Sequence, residues 1–531
     1  MSREGARGGA SSRVVPGATA GKSRTAETIP ASALAARARS LLADGFRLGL
    51  VAAHDEGSRL RIVYLFLSGS PDRRVELHVT VPARAPSVPS LGSLSFPASR
   101  FERAMHDLFG VVPSDHPLPH RLIRHAHWPS GWYPMRRDAG AMPPFTRNDP
   151  FPFVEVEGNG VYEVPVGPVH AGLIEPAHFR FSVVGESVIK LKARLWFTHR
   201  GVEKLFEGMG ALEATPLAER ISGDTSAAHA LAHVLAVEDA LGMVVPRPAR
   251  QLRAMLVEME RLYNHAADIG ALAMDVGFSL ANSHAQRIRE ELLRVNADCT
   301  GSRLMRGAIY PGGVRLLAAP DPARIRLLAA DLAEVAALTL ANTVIRDRFA
   351  GTAVLSERQA LDLGCLGVVA RASGVNVDAR VDHPSADLGT GADLGSSGVA
   401  RRDGDVLARF WVRVDEFAAS AALVCALAAD AERLEFPPAR PGRAALPHEN
   451  RPTSAGPSTR VRSGVGIVEG WRGTIVHRVE VDRDGRLTRA AIVDPSWFNW
   501  PALPLAMADT ILPDFPVTNK SFNLSYAGND L

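Results

Sequence analysis

A chain of 531 residues is long enough for more than one domain and a large buried core. Hydrophobic residues make up 46% and charged residues 22%, an ordinary globular balance, and a net charge of +3 without a dense basic stripe argues against nucleic acid as a partner. Three widely spaced cysteines, Cys299, Cys365 and Cys425, exclude a disulfide scaffold, and no run of about 18 apolar residues is present to span a membrane.

Residues 1–33 are rich in Arg, Gly, Ser and Ala and lack the apolar stretch of a secretory signal, so a disordered tail is expected there. Residues 34–130 read as a small separate unit. LAARARSLLADGF predicts an amphipathic helix ending at Gly45, and RLRIVYLFLSG and RRVELHVTVPA predict paired strands across the turn signals from Ser68 to Asp72. FERAMHDLFGVVPSDHPLPHRLIRHAHWP follows. Its histidines, His106, His116, His120, His125 and His127, match no zinc spacing and have no cysteine nearby. Residues 131–160 read as a Pro- and Gly-rich linker.

From residue 161 onward the period changes repeatedly. Phe179, Phe181 and Val183, then Val188 and Leu191, alternate on either side of Gly185-Glu186 and predict a hairpin. Ala228, Leu231, Ala232, Leu235 and Leu241 recur at helical spacing behind Asp224, Thr225 and Ser226, each a possible cap. Helices are predicted over Arg247–Asp275, 283–297, 322–349 and 406–434, with Gly-rich breaks at 301–313 and 364–374. Residues 382–405 and 436–460 read as loops. IVEGWRGTIVHRVEV alternates again, and the closing PVTNKSFNLSYAGNDL carries strand-forming and aromatic residues that point to a folded end.

GPVHAG, EPAHFRF, HRGVEK, RISG and AVEDALG occur in this order between Gly167 and Gly242. With the segments that follow, these motifs resemble the large subunit of group 4, membrane-bound nickel–iron hydrogenases and the hydrogenase-like subunit of respiratory complex I, over roughly four fifths of the chain. DLFG (Asp107 to Gly110), His116-Pro117 and Arg121 resemble the 30-kilodalton-type subunit of complex I. Fusion of the two resembles formate-hydrogenlyase and hydrogenase-4 large subunits. The resemblance implies an α+β protein: a small N-terminal α/β docking unit, then a large, mainly helical hydrogenase-like domain over 161–531 with peripheral strands.

A nickel–iron centre needs four thiolates from two CxxC pairs, because soft sulfur holds nickel and bridges it to iron. In the matching loops this chain has Ser222 and Thr225, then Ser496 and Asn499. Neutral hydroxyls and an amide do not replace thiolates, so the resemblance implies a relative that has lost the metal. Nor do three scattered cysteines supply the four ligands of an iron–sulfur cluster. No cofactor is expected on this chain; a cluster is expected in a small iron–sulfur partner, and membrane ion-pumping, antiporter-like subunits are expected beside it.

Quinone reduction, as in complex I, is the other chemistry implied. There the family carries a His, a Tyr and an Asp; the first two positions hold Ile174 and Gly223 here, and Asp275 alone matches. His170, Glu175 and Arg472 join Asp275 as candidate cavity-lining groups. Each also has a structural reading: His170 tying a strand start to a carbonyl, Glu175 capping a turn, Asp275 pairing with an arginine. His229 and His233 stand one helical turn apart without a third ligand, and His199, Arg200, Glu203 and Lys204 read as an ion network at a subunit contact. Three readings stand open: a redox subunit with a quinone-like or unknown acceptor, a non-catalytic scaffold coupling redox and ion-pumping subunits, and a standalone enzyme, which the docking unit disfavours. The expected location is peripheral, on the cytoplasmic face of the membrane.

Overall fold

The computed structural model describes residues 12–14, 23–146, 151–171, 174–388, 400–431 and 461–531. The expected loop at 436–460, and 389–399 of the one expected at 382–405, lie outside these. The chain divides into two compact units, Met1–Phe151 and Pro152–Leu531. Helices and sheets are both well represented, compatible with an α+β protein.

The first unit is a five-stranded sheet with helices α1 (Leu34–Ala43) and α2 (Phe96–Phe109). Its strands are β1 (Ser12–Val14), β2 (Ser23–Thr28), β3 (Arg47–Asp55), β4 (Arg59–Ser68) and β5 (Arg73–Pro82), in the order β1-β2-β5-β4-β3. β4 lies between β5 and β3 and is almost wholly buried, as RLRIVYLFLS requires of a strand with both faces covered. Two short strands, β6 (Ser87–Pro89) and β7 (Val112–Ser114), pair in parallel beside α2. As expected, α1 stops before Gly45 and β4 pairs antiparallel with β5.

Two expectations are corrected here. The N-terminal tail is not disordered throughout, because β2 runs parallel to β5 with Arg24 buried against Glu76 at 3.2 Å. SRTAET has no apolar alternation, so nothing local announces that strand; a buried ion pair with β5 anchors it. The linker also begins later than expected. Met135 is buried and its N–H donates to Leu108, while Arg136 donates to the Ala83 carbonyl at 2.9 Å.

In the second unit, β8 (Val161–Val166), β9 (His178–Val184) and β10 (Ser187–Arg194) form one antiparallel sheet, with the β9–β10 turn at Gly185-Glu186 as expected. Short helices α3 (Val202–Leu205) and α4 (Thr215–Ala218) lead to α5 (Ser226–Leu241). Then come α6 (Arg247–Asp275), α7 (Ser279–Thr300) and a two-residue hairpin, β11 (Ile309–Tyr310) with β12 (Gly313–Val314). The helix expected over 322–349 is broken by 87° at Asn342, which caps the second piece, giving α8 (Pro322–Ala341) and α9 (Thr343–Phe349). α10 (Glu357–Leu363), α11 (Gly367–Ala372), α12 (Ala379–Asp382) and α13 (Val406–Ala431) follow. α11 lies inside the Gly-rich stretch expected to be irregular.

The sheet of β13 (Arg462–Gly470), β14 (Gly473–Val481) and β15 (Leu487–Val493) lies on α5. α5 is apolar and buried nearly all round, so β13 must approach its backbone closely. Glycine makes that possible: a Cβ on Gly466 would stand 1.9 Å from the Ala232 carbonyl oxygen, and one on Gly464 2.0 Å from that of Ala236. The chain ends in helices α14 (Ser496–Asn499), α15 (Ala502–Ala506), α16 (Phe515–Phe522) and α17 (Tyr526–Asp530). The strand-forming character of the end is therefore overridden: Pro516 sits in the first turn of α16, and Ser525 caps α17 by accepting from the Gly528 amide.

Candidate functional site

The four positions that would carry thiolates lie in two loops, one leading into α5 and one forming α14. Ser222, Thr225, Ser496 and Asn499 are all buried. The Ser222 hydroxyl meets the Ser525 hydroxyl at 2.8 Å, and Ser496 Oγ accepts the Ser525 amide at 2.9 Å. Ser525 thus ties the two loops to the N-terminus of α17. Asn499 turns the other way, accepting from the Leu366 amide at 2.8 Å and donating to the Leu366 carbonyl at 3.1 Å. A Cβ on Gly528 would stand 2.6 Å from the Asp494 carboxyl, so only glycine lets α17 seat against this loop.

Asp224, between Ser222 and Thr225, meets Arg472 of the β13–β14 turn through two hydrogen bonds of 2.7 Å. Ser222 and Thr225 also donate to Asp224, at 3.0 and 2.9 Å. Partial loss of water opposes charge on Asp224, but the Arg472 guanidinium and these donors prevail and hold the carboxyl down at about 2. Arg472 donates further to the Asn523 carbonyl and lies over the Trp471 ring at 3.8 Å. The cap of α5 is not made by Asp224, Thr225 or Ser226. Glu260 of α6 supplies it, accepting from the Ala227 and Ala228 amides at 2.7 and 3.1 Å. Its burial pushes that carboxyl up to about 8.

A second buried group lies behind Asp494. Asp494 accepts the Ser496 amide at 2.7 Å and meets His229 Nε2 at 3.1 Å, and His229 Nδ1 meets His477 Nε2 at 3.0 Å. His233 stacks on Phe206 and against His477, and burial depresses its imidazole to about 4. Among the described residues no group of three or more His, Cys, Asp or Glu side chains has a metal-holding arrangement.

Of the four candidate residues, Arg472 alone joins this knot directly. His170 Nε2 bonds the Ala177 carbonyl at 2.8 Å. Glu175 accepts the Ala527 amide at 3.0 Å and so braces the first turn of α17. Asp275 is the exposed last residue of α6; it is Asp268, two turns earlier, that Arg472 reaches through Asn523. His199 and Arg200 bond the closing residues: His199 Nδ1 meets the Asp530 carbonyl, and the Arg200 and Gly201 amides donate to the Leu531 carbonyl. Glu203 pairs internally with Arg489 at 2.7 Å, and Lys204 with Glu207 at 2.6 Å. Asp224, Asp494 and Ser525 were missed by sequence reasoning, although Asp224 and Asp494 sit in or next to the lost ligand pairs.

The chain is 30% identical to formate hydrogenlyase subunit 5 of Escherichia coli over 471 residues, covering 86% of this chain and 79% of that one. It is 30% identical to hydrogenase-4 component G of the same organism over 439 residues, covering 81% and 73%. The chain belongs to the fused large subunits of the group 4 hydrogenase family. Residues 27–143 match the family described as respiratory-chain NADH dehydrogenase, 30 Kd subunit, and 275–530 match its 49 Kd subunit. Residues 200–273 match the nickel-dependent hydrogenases. A solved structure of the membrane-bound sulfane sulfur reductase, an archaeal respiratory membrane complex, shares the fold with a TM-score of 0.59 at 24% identity, over 70% of this chain and 99% of that one. The relatives are subunits of membrane-bound hydrogenase and complex I-like respiratory complexes.

For this group 4 large subunit, the donor set does not fit a nickel–iron centre. Two hydroxyls are bonded to Ser525, the third to Asp224 and Trp471, and the amide to Leu366, so each polar group is already engaged and none offers a thiolate. Cys365, beside Leu366, is buried, and burial pushes its thiol up to about 12, the opposite of a ligating thiolate.

Proposed function

We propose that this chain is the hydrogenase-like large subunit of a membrane-associated, complex I-type oxidoreductase complex, with no nickel–iron centre and no iron–sulfur cluster of its own. Electrons reach the complex through a small iron–sulfur subunit that packs beside the Ser222–Thr225 and Asp494–Asn499 loops. Antiporter-like membrane subunits complete the assembly, with this chain peripheral on the cytoplasmic face and its first unit serving for docking. Its own part is to couple the redox partner to the ion-pumping subunits. The observation that carries this reading is the bridge from Ser222 through Ser525 to Ser496, which fills with hydrogen bonds the place where thiolates would hold metal.

A second reading, a quinone-like acceptor reacting beside the Ser222–Thr225 loop, is favoured by Asp224. Its side chain is 41% exposed although its partner Arg472 is buried, so a charged group opens to the surface there. The complex purified through a tag on this chain separates the two. Elemental analysis is expected to find no nickel, and one nickel per chain would overturn both readings. Asp224→Asn with quinone turnover unchanged supports coupling; turnover lost with assembly intact supports acceptor chemistry.

A further inference from the structure

Helices α6 and α13 meet along a face that is polar where paired core helices are usually apolar. On α6, Glu258, Arg261, His265 and Asp268 recur at spacings of three and four, and on α13 Arg413, Glu416 and Ser420 do the same. At one end Asp268 accepts the Asn523 amide at 2.6 Å and Arg413 at 2.7 Å; Asn523 is the residue whose carbonyl holds Arg472. One turn along, Glu416 takes His265 at 2.9 Å and Arg371 at 2.6 Å. Glu258 then takes Arg261 at 3.0 Å, Ser420 at 2.6 Å and Arg380 at 3.3 Å. Arg371 bridges onward to Glu469 of β13 at 3.0 Å, and Arg380 pairs with Asp378 at 2.6 Å.

The charges beyond Asp268 do not balance. Carboxylates Glu258, Asp378, Glu416 and Glu469 face guanidiniums Arg261, Arg371 and Arg380, four against three, with the imidazole of His265 among them and that of buried His383 close by. An unmatched charge in a dry interior is costly, and one bound proton removes it. His265 is a poor place for that proton. Its Nδ1 has no hydrogen-bond partner and its other flank is the edge of Trp471, so an imidazolium would leave a bare N–H. Glu416 is held ionised: burial opposes its charge, but Arg371 and His265 outweigh it. Glu469 differs. Burial and the neighbouring Asp378 raise its carboxyl against the pull of Arg371. Its Oε2 accepts the Ala379 amide at 3.0 Å and the Thr474 hydroxyl at 2.9 Å, and that hydroxyl can rotate to accept a proton from the carboxyl instead.

Glu469 also borders, with Glu258, Arg380 and His383, a cavity of about 30 Å³. That is room for a water molecule, which needs roughly 10–15 Å³ and polar partners.

We propose that Glu469 is a buried proton-holding site, neutral at physiological pH, that exchanges with water through the cavity beside Glu258 and Arg380. Arg371, Glu416 and the α6–α13 ladder tie it to the Asp224–Arg472 pair. A change of charge at that pair then alters the affinity of Glu469 for its proton. The site is a feature of this chain alone and does not depend on which electron acceptor the complex uses.

The test is infrared spectroscopy of the full chain at neutral pH with carbon-13 in the glutamate carboxyls, comparing the parent with Glu469→Gln. A carbonyl band of a protonated carboxylic acid is expected in the parent and absent from the variant; Glu260, also raised by burial, keeps its own band in both. Spectra with no band lost in E469Q would overturn the proposal, as would a nitrogen-15 spectrum showing His265 or His383 as imidazolium in the parent. Should E469Q not fold, Thr474→Val decides. It removes the hydroxyl partner and is expected to shift the same band; an unshifted band overturns the assignment.

Discussion

Asp224 and Arg472, 248 residues apart in the chain, meet through two hydrogen bonds of 2.7 Å beside buried Ser222 and Thr225. The loop before α5 carries the acid and the β13–β14 turn carries the base, so the pair ties these two segments together. It also links outward, through Asn523 and Asp268, to the polar interior between α6 and α13.

Replacing Asp224 by Asn leaves the Arg472 guanidinium buried with only neutral acceptors. Breaking a buried pair costs about 3–5 kcal/mol, and the exposure of the Asp224 side chain discounts this to about 1–3 kcal/mol. Urea unfolding of the second unit is expected to show a lower midpoint with an unchanged slope. The contribution is present above the ordinary carboxylate value of 3.8, and it is lost as pH falls through about 2.

Ser525→Ala removes the hydroxyl that meets Ser222 and caps α17 at the Gly528 amide. Loss of a cap and of a buried hydrogen bond together costs about 1–3 kcal/mol. Hydrogen exchange is expected to rise first at Tyr526–Asp530, since that helix is one turn long and held by this bond and by Glu175.

Glu260 makes stability depend on pH in the direction opposite to Asp224. Its folded value of about 8 lies above the ordinary 4.5, so the folded chain holds this proton more tightly than the unfolded one. The contribution is complete below about pH 4.5 and is lost as pH rises through about 8, at roughly 1.4 kcal/mol per unit. Glu260→Gln mimics the neutral form. Its stability is expected to track the parent below about pH 4.5, to pull ahead progressively above that, and to hold its full lead above about pH 8; parallel curves across that range would refute the assignment.

Gly466→Ala places a methyl 1.9 Å from the Ala232 carbonyl oxygen, a backbone atom that cannot turn aside. The expected loss is about 3 kcal/mol or more, above the usual cost of overpacking. Circular dichroism is expected to show loss of cooperative melting, whereas an alanine at exposed Gly223, which meets nothing within 4 Å, is tolerated.

Family membership was legible in the sequence because it rests on ordered local motifs, and α6 (Arg247–Asp275) and the β9–β10 hairpin follow from periodicity that neighbours along the chain impose. So was the loss of thiolates at Ser222, Thr225, Ser496 and Asn499, since side-chain identity alone decides whether soft ligands exist. Where those residues turned was not legible. β2 lacks any apolar pattern and is anchored by the Arg24–Glu76 pair; the α5 cap comes from Glu260 on another helix; and the closing segment, with the residues of a strand, coils because Ser525 caps it against Ser222 and Ser496. The same holds for Asp275, left exposed at a helix end while Asp268 turns inward, and for the surplus carboxylate among Glu258, Asp378, Glu416 and Glu469. Each depends on partners dozens to hundreds of residues away, and electrostatic balance in a dry interior is a sum over neighbours that only the folded chain assembles.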